Sequence, residues 1–423
     1  MKFARILRAT ASALLLAMPM QLVAQASKAE EVTISHYFTG DLGLKGMQAF
    51  FEGFEKETGI AVKDSGIGHE DYKTGILVRA AANRLPDVFS YGAGARPQFV
   101  VDAGNVAPVD DIWDSAHLGD VVSKSIADSA TIYNGKRYFI PVGYHYAGIF
   151  FNPKAMKTAG ISEMPKTWDG LLAACKTLRE HNIAPISLGS KSRWPAQFWF
   201  DYLLLGTAGP DYRNSLMRGD ASFADSQVKR AMGMWKGLVD ADCFAPNSNA
   251  KEWTDAADEV ARGEAAMTLM GTWITGYWNN NKLQPVQDYD FFPFPKLDDA
   301  VPVSVVGPVD GFLVAANSQN PQGARKLLAF MVSNVPLQAN WAKVQGALSP
   351  NTKVDPSIYD PVMKKALDTV STAQNFAFNY DLATPPPVAE VGLDMFAEFM
   401  NDSSDVDALL ERTQEGAKAA FAK

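Results

Sequence analysis

The chain has 423 residues, with 39 Lys and Arg against 47 Asp and Glu, and a formal net charge of −8. That acidity argues against nucleic acid or anionic lipid as a partner, since both need a basic face. A composition of 47% hydrophobic and 20% charged residues is that of a folded globular protein rather than a disordered one, and the length is natural for two domains.

Lys2, Arg5 and Arg8 precede the apolar run "ATASALLLAMPMQLV" and the small-residue ending "AQA". A basic start, a short apolar stretch and a small-x-small end predict a secretory signal peptide over residues 1–26, cut after Ala26. The run is interrupted by Pro19 and Gln21 and is too short for a membrane span. Export with such a signal suits a bacterial periplasm, and its removal leaves the chain more acidic still. "EVTIS" then reads as a strand. Leu44, Met47, Phe50, Phe51 and Phe54 recur at helical spacing and stop at Gly59, a C-cap residue. "IAVKDSG", "DYKTGILVRAAANRL" and "PDVFSYG" continue as strand, helix and strand. This alternation predicts an α/β layer with a mostly parallel sheet, whose ligands bind at the carboxyl ends of the strands. "HYFTGDLG" (His36 to Gly43) and "SYGAGAR" (Ser90 to Arg96) fall at two such ends.

"KRYFIPVGYHYAGIFFN" (Lys136 to Asn152) reads as a strand passing from one domain into the next. The middle third is helical, from "PKTWDGLLAACKTLREHN" through "PAQFWFDYLLLG", and "AAMTLMGTWITGYW" is a buried strand turning into a helix. "PVSVVGPVDGFLVAANS" resumes strands with glycine turns, and "PQGARKLLAFMVSN" is a helix with Pro321 near its first position. The rest is helical apart from "YDLATPPP". The two cysteines, Cys175 and Cys243, either pair or stay as buried thiols.

The five histidines show no metal spacing, and "HE" at His69–Glu70 lacks the second histidine of a zinc-protease helix. There is no nucleophile elbow and no phosphate-cradling loop. Adjacent carboxylates such as Asp110–Asp111 and Asp298–Asp299 read as solvated turns in a chain this acidic. No catalytic residue, metal ligand or cofactor is therefore assigned. What stands out is aromatic: nine Trp, 13 Tyr and 24 Phe, several of them beside turns, among them Tyr37, Tyr91, Tyr144, Tyr146, Trp194, Trp273 and Tyr380. Sugar rings offer C–H faces to aromatic rings and hydroxyls to directional donors and acceptors, so turn aromatics mixed with Asp, His and Arg suit carbohydrate.

"FFEGFEKETGIAV", "RLPDVFSYG", "YFIPVGYHYAGIFFN", "AAMTLMGTWITGYW" and "PVDGFLVAANSQNPQGARKLLAFMVS", in this order, resemble bacterial extracellular solute-binding proteins of the sugar type, family 1, the relatives of maltose-binding protein that feed ABC importers. The resemblance implies an α/β, two-lobed, type II-like periplasmic binding protein fold, each lobe a mostly parallel sheet flanked by helices. The N-terminal lobe is expected from residues 27–141 plus 307–350 and the C-terminal lobe from 142–306 plus 351–423. It implies a monomer that closes on a mono- to oligosaccharide and delivers it to membrane permease subunits, with no catalysis.

Carried over by position, the resemblance implies a cleft containing Asp41, Tyr91, Arg96, His145, Trp194, Trp273, Asp310 and Tyr380, and their place at the end of the first strand makes His36 and Tyr37 candidate neighbours of the ligand. Leu42 and His145 stand where maltose-binding protein has Lys and Glu, which counts against maltodextrin itself. Each residue also has a plainer reading: Asp41 as a helix cap, His36 as strand-end packing, His145 as a satisfied strand histidine, and Arg96 in a surface ion pair. A polyol, a glycerol-linked sugar or an anionic sugar derivative is the alternative ligand, and a periplasmic glycan hydrolase is the alternative from another class.

Overall fold

The computed structural model describes residues 30–422; the expected signal peptide and its cut after Ala26 lie outside them. The chain begins with β1 (Glu31–His36), α1 (Asp41–Thr58), β2 (Ala61–Gly66), α2 (His69–Ala81), β3 (Val88–Gly92), α3 (Ala95–Asp102) and β4 (Val106–Ala107). β5 (Ile140–Tyr144) and β6 (Ala147–Phe151) follow, then α4 (Trp168–Glu180), β7 (Ala184–Ile186), α5 (Gln197–Arg218), α6 (Ser226–Asp240) and α7 (Trp253–Ala261). β8 (Ala265–Gly271), α8 (Trp273–Asn280), β9 (Asp290–Phe292), β10 (Ser304–Val306) and β11 (Val309–Ala315) lead to α9 (Pro321–Ser333) and α10 (Val335–Gln345). The described chain closes with β12 (Asn375–Ala377), α11 (Tyr380–Ala383), α12 (Pro386–Asn401) and α13 (Val406–Phe421).

Two six-stranded sheets result, each with its own core. The first has the order β2-β1-β3-β11-β4, with β5 also on β11. Its helices bury Met47, Phe50, Phe54, Leu327 and Leu328 at zero exposure. The second has the order β12-β10-β6-β8-β7, with β9 also on β6, under a larger core that includes Trp199, Trp235 and Trp278. The expectation of mostly parallel sheets needs correcting, because both are mixed. β1 is parallel to β2 and β3, but β11 is antiparallel to β3, β4 and β5. In the second sheet only β7 with β8 and β10 with β12 run parallel. The antiparallel partners enter where the chain returns from the other sheet, so they do not arise from the helix crossovers that make neighbouring strands parallel.

The chain passes between the sheets in segments that touch. His145 N–H donates to Pro308 O at 2.9 Å, and Tyr144 and Leu348 exchange backbone bonds of 2.9 and 2.8 Å. Gly307 lies so close to this crossing that a Cβ there would stand 1.9 Å from His145 O. β5 runs on to Tyr144 within the first sheet, beyond the boundary expected at residue 141.

Cys175 and Cys243 are fully buried and unbonded, although each is the other's neighbour. The Cys243 thiol, with burial second, pushes the Cys175 pKa far up. No helix among the described residues is long and apolar enough to cross a membrane.

Candidate functional site

A cavity of about 530 Å³ lies between the two sheets, a volume ordinary for a small-molecule site. Its first wall comes from the carboxyl ends of β1 and β3 and from the starts of α2 and α3. β1 ends at His36, and the next residue, Tyr37, reaches the cavity. The Tyr37 hydroxyl donates to Asp310 Oδ1 at 2.6 Å from β11. Burial, and then Asp310, hold the Tyr37 pKa well above its ordinary value, so this phenol is a neutral donor. Tyr91 at the end of β3 is 2% exposed, and burial pushes its pKa up to about 12.

Arg96 faces the cavity from α3, yet its charge is already engaged. Its Nη2 donates to Asp381 Oδ2 at 2.7 Å and its Nε to Asp381 O at 3.1 Å. Burial alone would raise the Asp381 pKa, but Arg96, then Lys73 and His69, outweigh it and hold it below the usual carboxylate range. Lys73 on α2 stands 3.7 Å from the same carboxylate.

The opposite wall is aromatic. β8 delivers the chain to Trp273, the first residue of α8. Gly271 has to be glycine for this: a Cβ there would stand 2.0 Å from the Trp273 ring. The indole meets His145 edge-on, with centroids 5.3 Å apart, and contacts Trp194 and Phe198 at 5.8 and 6.1 Å. Trp194 follows Arg193, a non-glycine residue at φ 64 held by ion pairs to Glu390 and Asp394. The Trp194 indole N–H donates across the cavity to Glu70 Oε1 at 3.1 Å. His145 sits between the walls, its Nδ1 3.0 Å from Thr272 Oγ1 and its Nε2 3.5 Å from Asp310 Oδ2.

Of the residues expected from the sequence, Tyr91, Arg96, His145, Trp194, Trp273 and Asp310 line this cavity together. Three do not. His36 is fully buried on the other side of β1, where its Nδ1 accepts from Phe38 N–H at 3.2 Å. Its Nε2 lies 2.9 Å from Asp64 Oδ1, outside hydrogen-bond alignment. Side chains alternate along a strand, so the ring that reaches the cavity belongs to the residue after it. Asp41 is exposed at the first position of α1, whose N-cap is Gly40 with no side-chain cap bond. It complements the helix dipole and does not line the cavity. Tyr380 is fully buried in the second core, against Phe200 and Phe396, with its hydroxyl on Val388 O at 3.0 Å. Its neighbours Asn379 and Asp381 line the cavity instead.

The sequence reading also missed Tyr72, Lys73, Gln197 and Trp253. The signal for the first two was available: "DYK" opens the helix directly after a strand end. Gln197 and Trp253 belong to helices whose orientation no local pattern gives. A second cavity of about 310 Å³, at Thr275, Asn279, Lys343 and Tyr359, contains none of the expected residues. Among the described residues no group of three or more His, Cys, Asp or Glu is placed to hold a metal ion.

A family model described as bacterial extracellular solute-binding protein matches residues 41–338. An uncharacterised ABC transporter extracellular-binding protein of Pyrococcus horikoshii is 28% identical over 409 residues, 95% of this chain and 88% of that one. A probable sugar-binding periplasmic protein of Mesorhizobium japonicum is 25% identical over 89% of this chain and 91% of its own. Among solved structures, a bacterial solute receptor with an exclusive preference for β-D-galactopyranose superposes with a TM-score of 0.86 at 20% identity, over 93% of this chain and all of that one.

Proposed function

From the premise that this chain belongs to the bacterial extracellular solute-binding protein family, we propose that it is the periplasmic receptor of an ABC importer for a mono- to oligosaccharide. It is exported by a cleavable signal peptide, works as a monomer, closes its two lobes on the sugar and hands it to membrane permease subunits. The observation that carries this reading is the composition of one cavity: Trp273 and Trp194 on one wall face Tyr37, Asp310 and Arg96 on the other, with Asp381 reaching Arg96 from a turn held by the second core. Rings on one side suit the C–H faces of a sugar, and paired donors and acceptors on the other suit its hydroxyls. The sugar-binding relative of Mesorhizobium japonicum supports the same ligand class.

A neutral sugar fits better than an anionic one. Arg96 is spent on Asp381, His145 lies against Asp310, and Glu70, Asp71 and Glu252 add negative charge at the rim. The protein is a receptor and not a hydrolase on this reading. A glycosidase needs a carboxylic acid with a raised pKa, whereas Asp381 is held low and Glu70 falls to about 2.

The test is a thermal-shift and calorimetric panel of D-glucose, D-galactose, maltose, cellobiose, N,N′-diacetylchitobiose, D-glucuronate and glycerol. At least one neutral sugar is expected to raise the melting temperature and to be recovered intact. If glucuronate or glycerol alone stabilises the protein, the neutral-sugar reading is overturned. Release of monosaccharide from an oligomer would overturn the receptor reading itself.

A further inference from the structure

Asp201 and Arg213 form an ion pair at 0% and 2% side-chain exposure, and neither touches the cavity. Both belong to α5, twelve positions apart. An unbroken helix would separate them by about 18 Å along its axis. They meet because α5 breaks at Gly209, which has φ 80 and ψ 169 and is followed by Pro210. Glycine tolerates that backbone conformation, and proline bars the preceding turn from continuing. The break turns the chain so that Arg213 reaches Asp201.

The remaining bonds of the pair all go to one turn. Arg213 Nη2 donates both to Asp201 Oδ1 and to Phe378 O, each at 2.6 Å. Asp201 Oδ2 accepts from Tyr380 N–H at 2.8 Å. From the start of the same helix, Gln197 Oε1 accepts from Asp381 N–H at 2.9 Å. The turn so fixed carries Asn379, whose Nδ2 donates to Asp381 Oδ1 at 2.6 Å, and Asp381, which receives Arg96 from the first wall. A chain of bonds thus runs from a helix break in the second core to the cation on the far side of the cavity.

We infer that Asp201 and Arg213 are positioning residues for the binding site, acting through the 378–381 turn on Asp381 and Arg96. A buried ion pair is seldom the most stabilising way to fill its volume, since desolvation cancels much of the attraction. What this pair provides beyond bulk is a fixed place for two backbone groups of the turn. The inference rests on the receptor reading above, and its test has one arm that needs no ligand.

Arg213→Lys keeps the charge but lacks the planar fork that bridges Asp201 and Phe378 O. Asp201→Asn keeps an oxygen for the Tyr380 amide. In the full-length protein, both are expected to melt cooperatively. Arg213→Lys should lose about tenfold in affinity for whichever of the five neutral sugars binds, and Asp201→Asn less. Amide exchange at Tyr380 and Asp381 in sugar-free Arg213→Lys should quicken by about tenfold while the remainder of α5 holds.

Combined with Arg96→Gln, the affinity losses should fall short of additive, because both substitutions act on Asp381. Unchanged affinity and exchange in Arg213→Lys, or additive losses in the double variant, would overturn the positioning role. Failure of the unaltered protein to bind any sugar counts against the receptor reading alone, and exchange at Tyr380 and Asp381 still decides the role of the pair.

Discussion

At the scale of single residues, the cavity depends on a few rings and a few committed charges. Trp273 lines the cavity at the start of α8, with Gly271 clearing the space behind its ring. Trp273→Ala is expected to weaken sugar binding by about 1 kcal/mol or more, and Trp273→Phe by less, read by calorimetry at fixed salt. Equal affinity in both variants would remove Trp273 from the site. Glu70 carries the bond from Trp194 across the cavity. Burial raises its pKa, but the hydrogen bond from His69 and the charge of Lys73 outweigh that and bring it to about 2. A folded-state pKa below the unfolded value gives a contribution that is complete above the ordinary glutamate range and is lost as pH falls toward 2. Tryptophan fluorescence of the sugar-free protein should therefore hold steady down to about pH 4 and change only below it. In Glu70→Gln that acid-induced change should be absent. The residue types at this site were legible in the sequence, whereas their directions were not. Tyr380 is an aromatic beside a turn, as Trp273 is, yet it packs inward because Gly392 opens a slot for its ring.

At the scale of elements, what holds the first sheet to its helices is polar as well as apolar. Asp87, 4% exposed just before β3, accepts from Thr33 N–H and Oγ1 at 2.8 and 2.6 Å. It also accepts from Ser318 Oγ, Gln319 N–H and Asn320 N–H at 2.6, 2.7 and 3.0 Å, in the segment that enters α9. One carboxylate thus joins β1, β3 and the α9 entry. Burial works to raise its pKa, but these donors outweigh it and hold the pKa below the ordinary value. Asp87→Ala should cost roughly 3 kcal/mol by denaturant titration at pH 7, because five donors lose their acceptor. With its folded pKa depressed, the contribution of Asp87 is present above about pH 4 and lost as pH falls further, so the penalty of the substitution should shrink in acid. The helices themselves were plain from spacing: α1 buries Met47, Phe50, Phe51 and Phe54 as the pattern demanded. Strand direction was not plain, because a run such as "VDGFLVA" reads the same whichever way its neighbour runs.

At the scale of the whole molecule, the receptor reading proposed above makes the crossing segments the place about which the lobes move. His145 lies among three of them, bonded through its backbone to Pro308 and 3.2 Å from Gly346 O through its ring. On that reading, motion about so narrow a set of contacts is of the hinge type, and a ligand shifts it only by binding the closed form better. Gly307→Ala would drive a methyl into His145 O, so the variant should close incompletely. Small-angle scattering with a saturating sugar should then show a smaller compaction than in the unaltered protein, and equal compaction would remove Gly307 from the hinge.

The sequence by itself determined the α/β class, the aromatic bias of the site and most of the residues at strand ends. Local periodicity and turn chemistry encode these, and six of the residues carried over from the resemblance to known receptors line the one cavity. Only the tertiary structure decided that the sheets are mixed, that Arg96 is neutralised by a residue 285 positions away, and that Asp381 rather than Tyr380 faces the cavity. The reason is physical. A residue's type and spacing are local properties, but its partner and the face it presents are set by segments that return from the other sheet.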